Sequence, residues 1–122
     1  MADVSYSVSL RVSKGKLANS ISVSNITASM AQTGLVAQTL TLTTNAVSIS
    51  TANLSSVGLA VIQNLATASS STAMIGIDAG GSFVGFTTLR GGEAAVARLT
   101  QGTDYQAIGV TGTRLRVDIV EG

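Results

Sequence analysis

Chemistry in this sequence has to start from six carboxylates: Asp3, Asp78, Glu93, Asp104, Asp118 and Glu121. The chain contains no His and no Cys. That excludes a disulfide framework, a zinc finger, a haem site, a thiol nucleophile and a Ser–His triad. Apart from Asp118 and Glu121, the acids are widely separated along the chain. Distant carboxylates can still meet in space as an acid–base pair. Each of these, however, falls at a strand end or beside a turn, where capping the turn is the ordinary role of such a side chain.

Two short segments invite a ligand reading. Asp78-Ala79-Gly80-Gly81 lacks the alternating oxygen ligands of a calcium loop and reads as a hairpin turn. Arg90-Gly91-Gly92 has neither the spacing of a phosphate-binding loop nor its Gly-Lys-Ser/Thr ending. The expectation is therefore a protein that is not an enzyme, with no catalytic residue, no metal site and no cofactor. The remaining cluster is basic. Arg11, Lys14 and Lys16 gather around one turn and form the candidate contact for an acidic partner surface, against the plain alternative of a solvated turn. The only aromatics are Tyr6, Phe83, Phe86 and Tyr105, too few for a platform that stacks sugars or bases.

The rest of the composition narrows the class. The chain has 122 residues, enough for one domain, and a net charge of +1, which argues against direct nucleic-acid binding. Hydrophobic residues make up 45%, and mean hydropathy is +0.45. Yet the longest run of apolar residues and Gly is about Val57 to Ile62, whereas a membrane-spanning helix needs roughly 20. No membrane association is expected. No basic segment followed by an apolar one opens the chain, so the expectation is a product made in the cytoplasm and not secreted.

Hydroxyls replace the missing charge. Ser and Thr number 31, while charged residues are 11% against about 25% in an ordinary domain. Period-two alternation runs through most of the chain. Val4, Tyr6, Val8, Leu10 and Val12 share one face, with Ser5, Ser7, Ser9, Arg11 and Ser13 on the other. Lys14-Gly15-Lys16 ends this strand as a turn. Ser20 to Val23 alternates next, with Ile21 and Val23 inward. The apolar phase then shifts to Ile26, Ala28 and Met30, which predicts a bulge near Asn25.

Further strands are read around Leu40 and Leu42, Val47 and Ile49, Met74 to Asp78, Phe83 to Leu89, Tyr105 to Val110 and Leu115 to Ile119. Two segments are ambiguous. Val57 to Ile62 is apolar on both faces and is read as a central strand, since Gly58 and the β-branched residues disfavour a helix. Ala94 to Leu99 contains good helix formers. Short strands at spacings of about 8 to 12 residues, with turns between, predict an all-β sandwich or barrel.

So little charge gives little protection against association. Pro is absent and Lys occurs only at Lys14 and Lys16, so the usual devices that blunt sheet edges are missing. These features predict a homo-oligomer, with a trimer as the form entertained, inside a larger assembly.

The second half carries a resemblance. It runs Val61-Ile62-Gln63-Asn64-Leu65, Ile75-Gly76-Ile77-Asp78, Phe83-Val84-Gly85-Phe86, Leu89-Arg90-Gly91-Gly92-Glu93 and Leu115-Arg116-Val117-Asp118-Ile119-Val120-Glu121. This order resembles small structural proteins of tailed bacteriophages, over roughly residues 57–122. The resemblance implies a β-sandwich virion component without catalytic residues. Residues and resemblance together give one expectation. It is a single all-β domain over residues 1–122, a jelly-roll-like antiparallel β-sandwich of about eight to ten short strands. Its role would be that of a capsid decoration or cement protein located in the virion, whose partners are its own copies and the major capsid protein or another virion protein. The alternatives are a tail, neck or fibre component, or a virion-surface module binding carbohydrate or a receptor.

Overall fold

The alternating segments become strands. The computed structural model describes residues 3–30, 33–51 and 54–122, and among these are ten strands and no helix. They are β1 (Val4–Lys14), β2 (Leu17–Ala28), β3 (Leu35–Thr41), β4 (Val47–Ser48), β5 (Val57–Asn64), β6 (Ala73–Ala79), β7 (Ser82–Leu89), β8 (Ala94–Arg98), β9 (Tyr105–Gly109) and β10 (Arg114–Glu121). Contacts divide the chain into two units, Met1–Ala31 and Gln32–Gly122.

The first unit is a two-stranded antiparallel hairpin of β1 and β2. Gly15 has a φ of 59°, the positive value that a two-residue hairpin turn demands at its first central position. The predicted bulge is present: Asn25 has a φ of 56°, and the register shifts between Tyr6 and Val8. Tyr6 faces Ile26 while Val8 faces Val23, so β2 spends one more residue than β1. That extra residue returns Ile26 to the face that holds Val23, which resolves the phase shift in the sequence.

The second unit is a β-sandwich. One sheet has the order β3-β10-β5-β8 and the other β4-β9-β6-β7. All pairings in both sheets are antiparallel. Every connection crosses from one sheet to the other except that between β6 and β7. Those two strands form a tight hairpin through Gly80 and Gly81, at φ of 65° and 90°, with the Asp78 carboxylate accepting the Gly81 N–H at 2.8 Å.

The core lies between the sheets. Ala60, Ile62, Leu115, Val117 and Ile119 come from the first sheet, and Ala73, Ile75, Leu89, Tyr105 and Ala107 from the second. Leu42, Ile49 and Leu99, each just beyond a strand end, close it. Each fully buried aliphatic side chain contributes about 1.5–3 kcal/mol of transfer free energy. Both ambiguous segments are strands. β5 sits inside its sheet, between β10 and β8, and β8 forms an edge paired to β5 from Leu59↔Arg98 to Gln63↔Ala94. The helix propensity of Ala94–Arg98 is overridden by that pairing.

Candidate functional site

The hairpin presents two chemically different faces. In an antiparallel ladder directly opposed residues point to the same side. The pairs Val4↔Ala28, Tyr6↔Ile26, Val8↔Val23 and Leu10↔Ile21 therefore make one apolar face, which Val12 and Leu17 extend towards the turn. Ser5↔Thr27, Ser9↔Ser22, Arg11↔Ser20 and Ser13↔Ala18 make the other, which is mostly hydroxyl.

The apolar face is open. Val8, Leu10, Leu17, Ile21 and Val23 are between 44% and 59% exposed. Ile21 and Val23, expected to point inward, thus point to solvent. An uncovered contiguous apolar strip on a two-stranded sheet marks an interaction surface. It was not visible as such in the sequence, where the same alternation marks a core-facing strand. The signal available was length, since β1 and β2 run 11 and 12 residues against five to eight in most sandwich strands.

Arg11, Lys14 and Lys16 come together at the closed end of this hairpin, and all three are exposed. Lys14 lies at the tip of the apolar face, Lys16 in the turn and Arg11 on the hydroxyl face. None forms an ion pair among the described residues; the salt bridge there joins Arg116 to Asp118 at 3.3 Å. The hairpin end thus couples an apolar strip to a concentrated positive charge.

Most of the carboxylates are committed to backbone. Asp3 accepts the Met30 N–H at 3.0 Å, which ties the open end of the hairpin. Glu93 accepts the Arg90 N–H at 2.7 Å, while its own N–H donates to the Arg90 carbonyl, closing the Arg90–Glu93 turn. Glu121 is the most enclosed, at 4% exposure. One of its oxygens accepts both the hydroxyl and the N–H of Ser55, the latter at 2.7 Å, and the other accepts the Gly34 N–H at 3.1 Å. A Cβ at residue 34 would collide with this carboxylate, so glycine is what permits the approach. The Ser55 hydroxyl, then the Ser55 N–H, hold the Glu121 carboxyl below its ordinary range; burial opposes them, and the N–H groups of Gly34 and Ser56 add to the lowering.

Asn64 is likewise buried completely. Its amide donates to the carbonyls of Ser71 at 2.8 Å and Leu89 at 3.1 Å, and its oxygen accepts the Ala66 N–H at 3.0 Å. Asn64 and Glu121 thus each hold a loop against the sandwich, whereas Glu93 closes its own turn. Thr113 Oγ1 is buried with no partner among the described residues.

The aromatics and depressions add little chemistry. Tyr105 is buried and its hydroxyl accepts the Thr100 N–H at 2.8 Å; Phe86 meets it edge-on, with centroids 6.4 Å apart. A depression of about 300 Å³ on the second sheet is lined by Met74, Ile108, Val110 and threonines 44, 72 and 88, with no titratable group. Among the described residues no three His, Cys, Asp or Glu side chains gather as a metal site, and no helix is long and apolar enough to cross a membrane. No family model and no curated protein matches the chain.

Proposed function

We propose that the protein is a non-enzymatic structural subunit of a tailed-bacteriophage virion, a decoration or cement protein that joins copies of itself to neighbouring capsid subunits. The observation that carries this reading is the hairpin, whose bare apolar face and basic end are suited to binding protein surfaces. Counted from one to eight along the chain, the sandwich strands follow the orders 1-8-3-6 and 2-7-4-5, which supports a jelly-roll assignment, an architecture used by viral capsid proteins.

The mechanism is linkage. A subunit that binds the assembled shell, and not its separated parts, stabilises the shell by mass action. Apolar area removed from water contributes about 25 cal/mol per Å². Arg11, Lys14 and Lys16 meet acidic groups on the capsid subunit, and screening by salt weakens that contact over the ~10 Å Debye length of 0.1 M salt.

The test uses shells from a virus lacking the protein. Adding the wild-type chain should raise the temperature at which they release DNA. The charge-reversed Arg11→Glu, Lys14→Glu, Lys16→Glu chain should bind less and protect less, with an unchanged sandwich melting temperature. Shells that release DNA at the same temperature with and without the wild-type chain reject the cementing role.

A further inference from the structure

We infer that the apolar face of the β1–β2 hairpin is a self-association surface, and that its occupant is the same face of a second copy of this chain. The inference rests on the assembly reading above but does not require a capsid.

Three observations favour a second copy. The first is chemical matching. Pairs Val4↔Ala28 through Leu10↔Ile21 put no charge on the face, and Lys14 stands only at its tip, so a complementary surface is itself apolar and uncharged. The hairpin's own face meets that description, and pairing it about a two-fold axis that lies between the faces and perpendicular to the strands sets the lysine tips at opposite ends.

The second is incompleteness. A two-stranded hairpin is at best marginally stable in water, and a second layer over its apolar face is the usual remedy. Within the hairpin, Val8, Leu10, Ile21 and Val23 remain about half exposed, so the two strands do not provide that layer for themselves.

The third is area. The nine residues Val4–Val12 of β1 at about 3.3 Å each give an apolar face about 30 Å long, and two strands with their side chains make it roughly 10 Å wide. Two such faces stacked together cover about 600 Å² in flat projection, and corrugated side chains bury more than their projection. That lies at the small end of protein interfaces, the range of a reversible pairing.

The chain has no cysteine, so single introduced thiols report cleanly. Leu10→Cys places one near the middle of the apolar face and Ser9→Cys places one on the hydroxyl face. Stacked sheets lie about 10 Å apart, beyond disulfide reach, so a bis-maleimide of that span is the probe. Sedimentation equilibrium of the full wild-type chain should give a multiple of 12.2 kDa at micromolar concentration. Leu10→Cys should crosslink between copies and Ser9→Cys should not. The double variant Leu10→Ser, Ile21→Ser should associate at least tenfold more weakly, with an unchanged sandwich melting temperature.

A wild-type chain that sediments as a monomer at high micromolar concentration overturns the inference. So does equal crosslinking from both positions, or unchanged association of the double variant. The two readings fail separately. Shells protected by a chain that stays monomeric would leave the cementing role and remove the pairing; association without shell protection would do the reverse.

Discussion

Replacing Asn64 by alanine removes a clamp whose cost can be worked out bond by bond. Asn64 has no exposed surface, and its amide is used three times. Truncation leaves the Leu89 carbonyl without this donor in a buried position, which costs about 2 kcal/mol. The Ser71 carbonyl and Ala66 N–H sit in a partly buried loop within reach of water, so each loses about 0.5 kcal/mol net. The sum is about 3 kcal/mol. In a unit of this size each kcal/mol shifts the melting temperature by about 4–8 °C, so a drop of about 12–24 °C is expected. Urea denaturation of wild type, Asn64→Ala and the exposed neighbour Gln63→Ala measures it directly, with Gln63→Ala near wild type. A second readout is local: proteolysis between Ala66 and Thr72 should accelerate in Asn64→Ala. A loss below about 1 kcal/mol would refute the reasoning, because the loop would then be held by something other than this amide.

Two further outcomes follow from the sandwich. The Glu121 carboxyl is held below its ordinary range, so its contribution to stability is complete above the unfolded value near 4.5 and fades as pH falls through the lowered folded value. Wild type should therefore exceed Glu121→Gln by a margin that is constant above pH 5 and narrows below 4.5, measured by denaturant midpoints across pH; a margin independent of pH contradicts the carboxylate clasp. Thr113→Val removes a buried hydroxyl with no partner among the described residues and should raise stability by about 1 kcal/mol; an equal loss would mean that the hydroxyl is bonded after all.

The local features of this fold were legible in the sequence because their causes are local. Gly80-Gly81 and Lys14-Gly15-Lys16 turn where turn chemistry says they should, and the phase change after Asn25 announced its bulge. Val57–Ile62 was readable as an interior strand because both its faces are apolar. The long-range features were not. Glu121 meets Gly34 across 87 residues and Asn64 meets Leu89 across 25, and no pattern in a single sequence links such partners. The candidate site was half legible. The basic residues at the first turn stood out by charge. The open apolar face did not, since Val8 and Leu10 alternate with serines just as Leu115 and Val117 alternate with polar residues, and only tertiary contact decides which of them is covered. The division at residue 31 was hidden as well, because no Pro- or Gly-rich linker marks it.

The placing of Gly34 and Glu121 has a mechanical consequence. β3 enters the sandwich beside the point where β10 leaves it, with Leu35 opposite Val120. A pull on the chain at Gly34 against one at Gly122 therefore unzips this ladder rung by rung instead of shearing all its bonds at once. The Glu121 carboxylate on Gly34 and Ser55, together with the Glu121 N–H on the Gly34 carbonyl, is the first fastening in that path. A force applied at Gly34 meets this fastening before it meets the ladder.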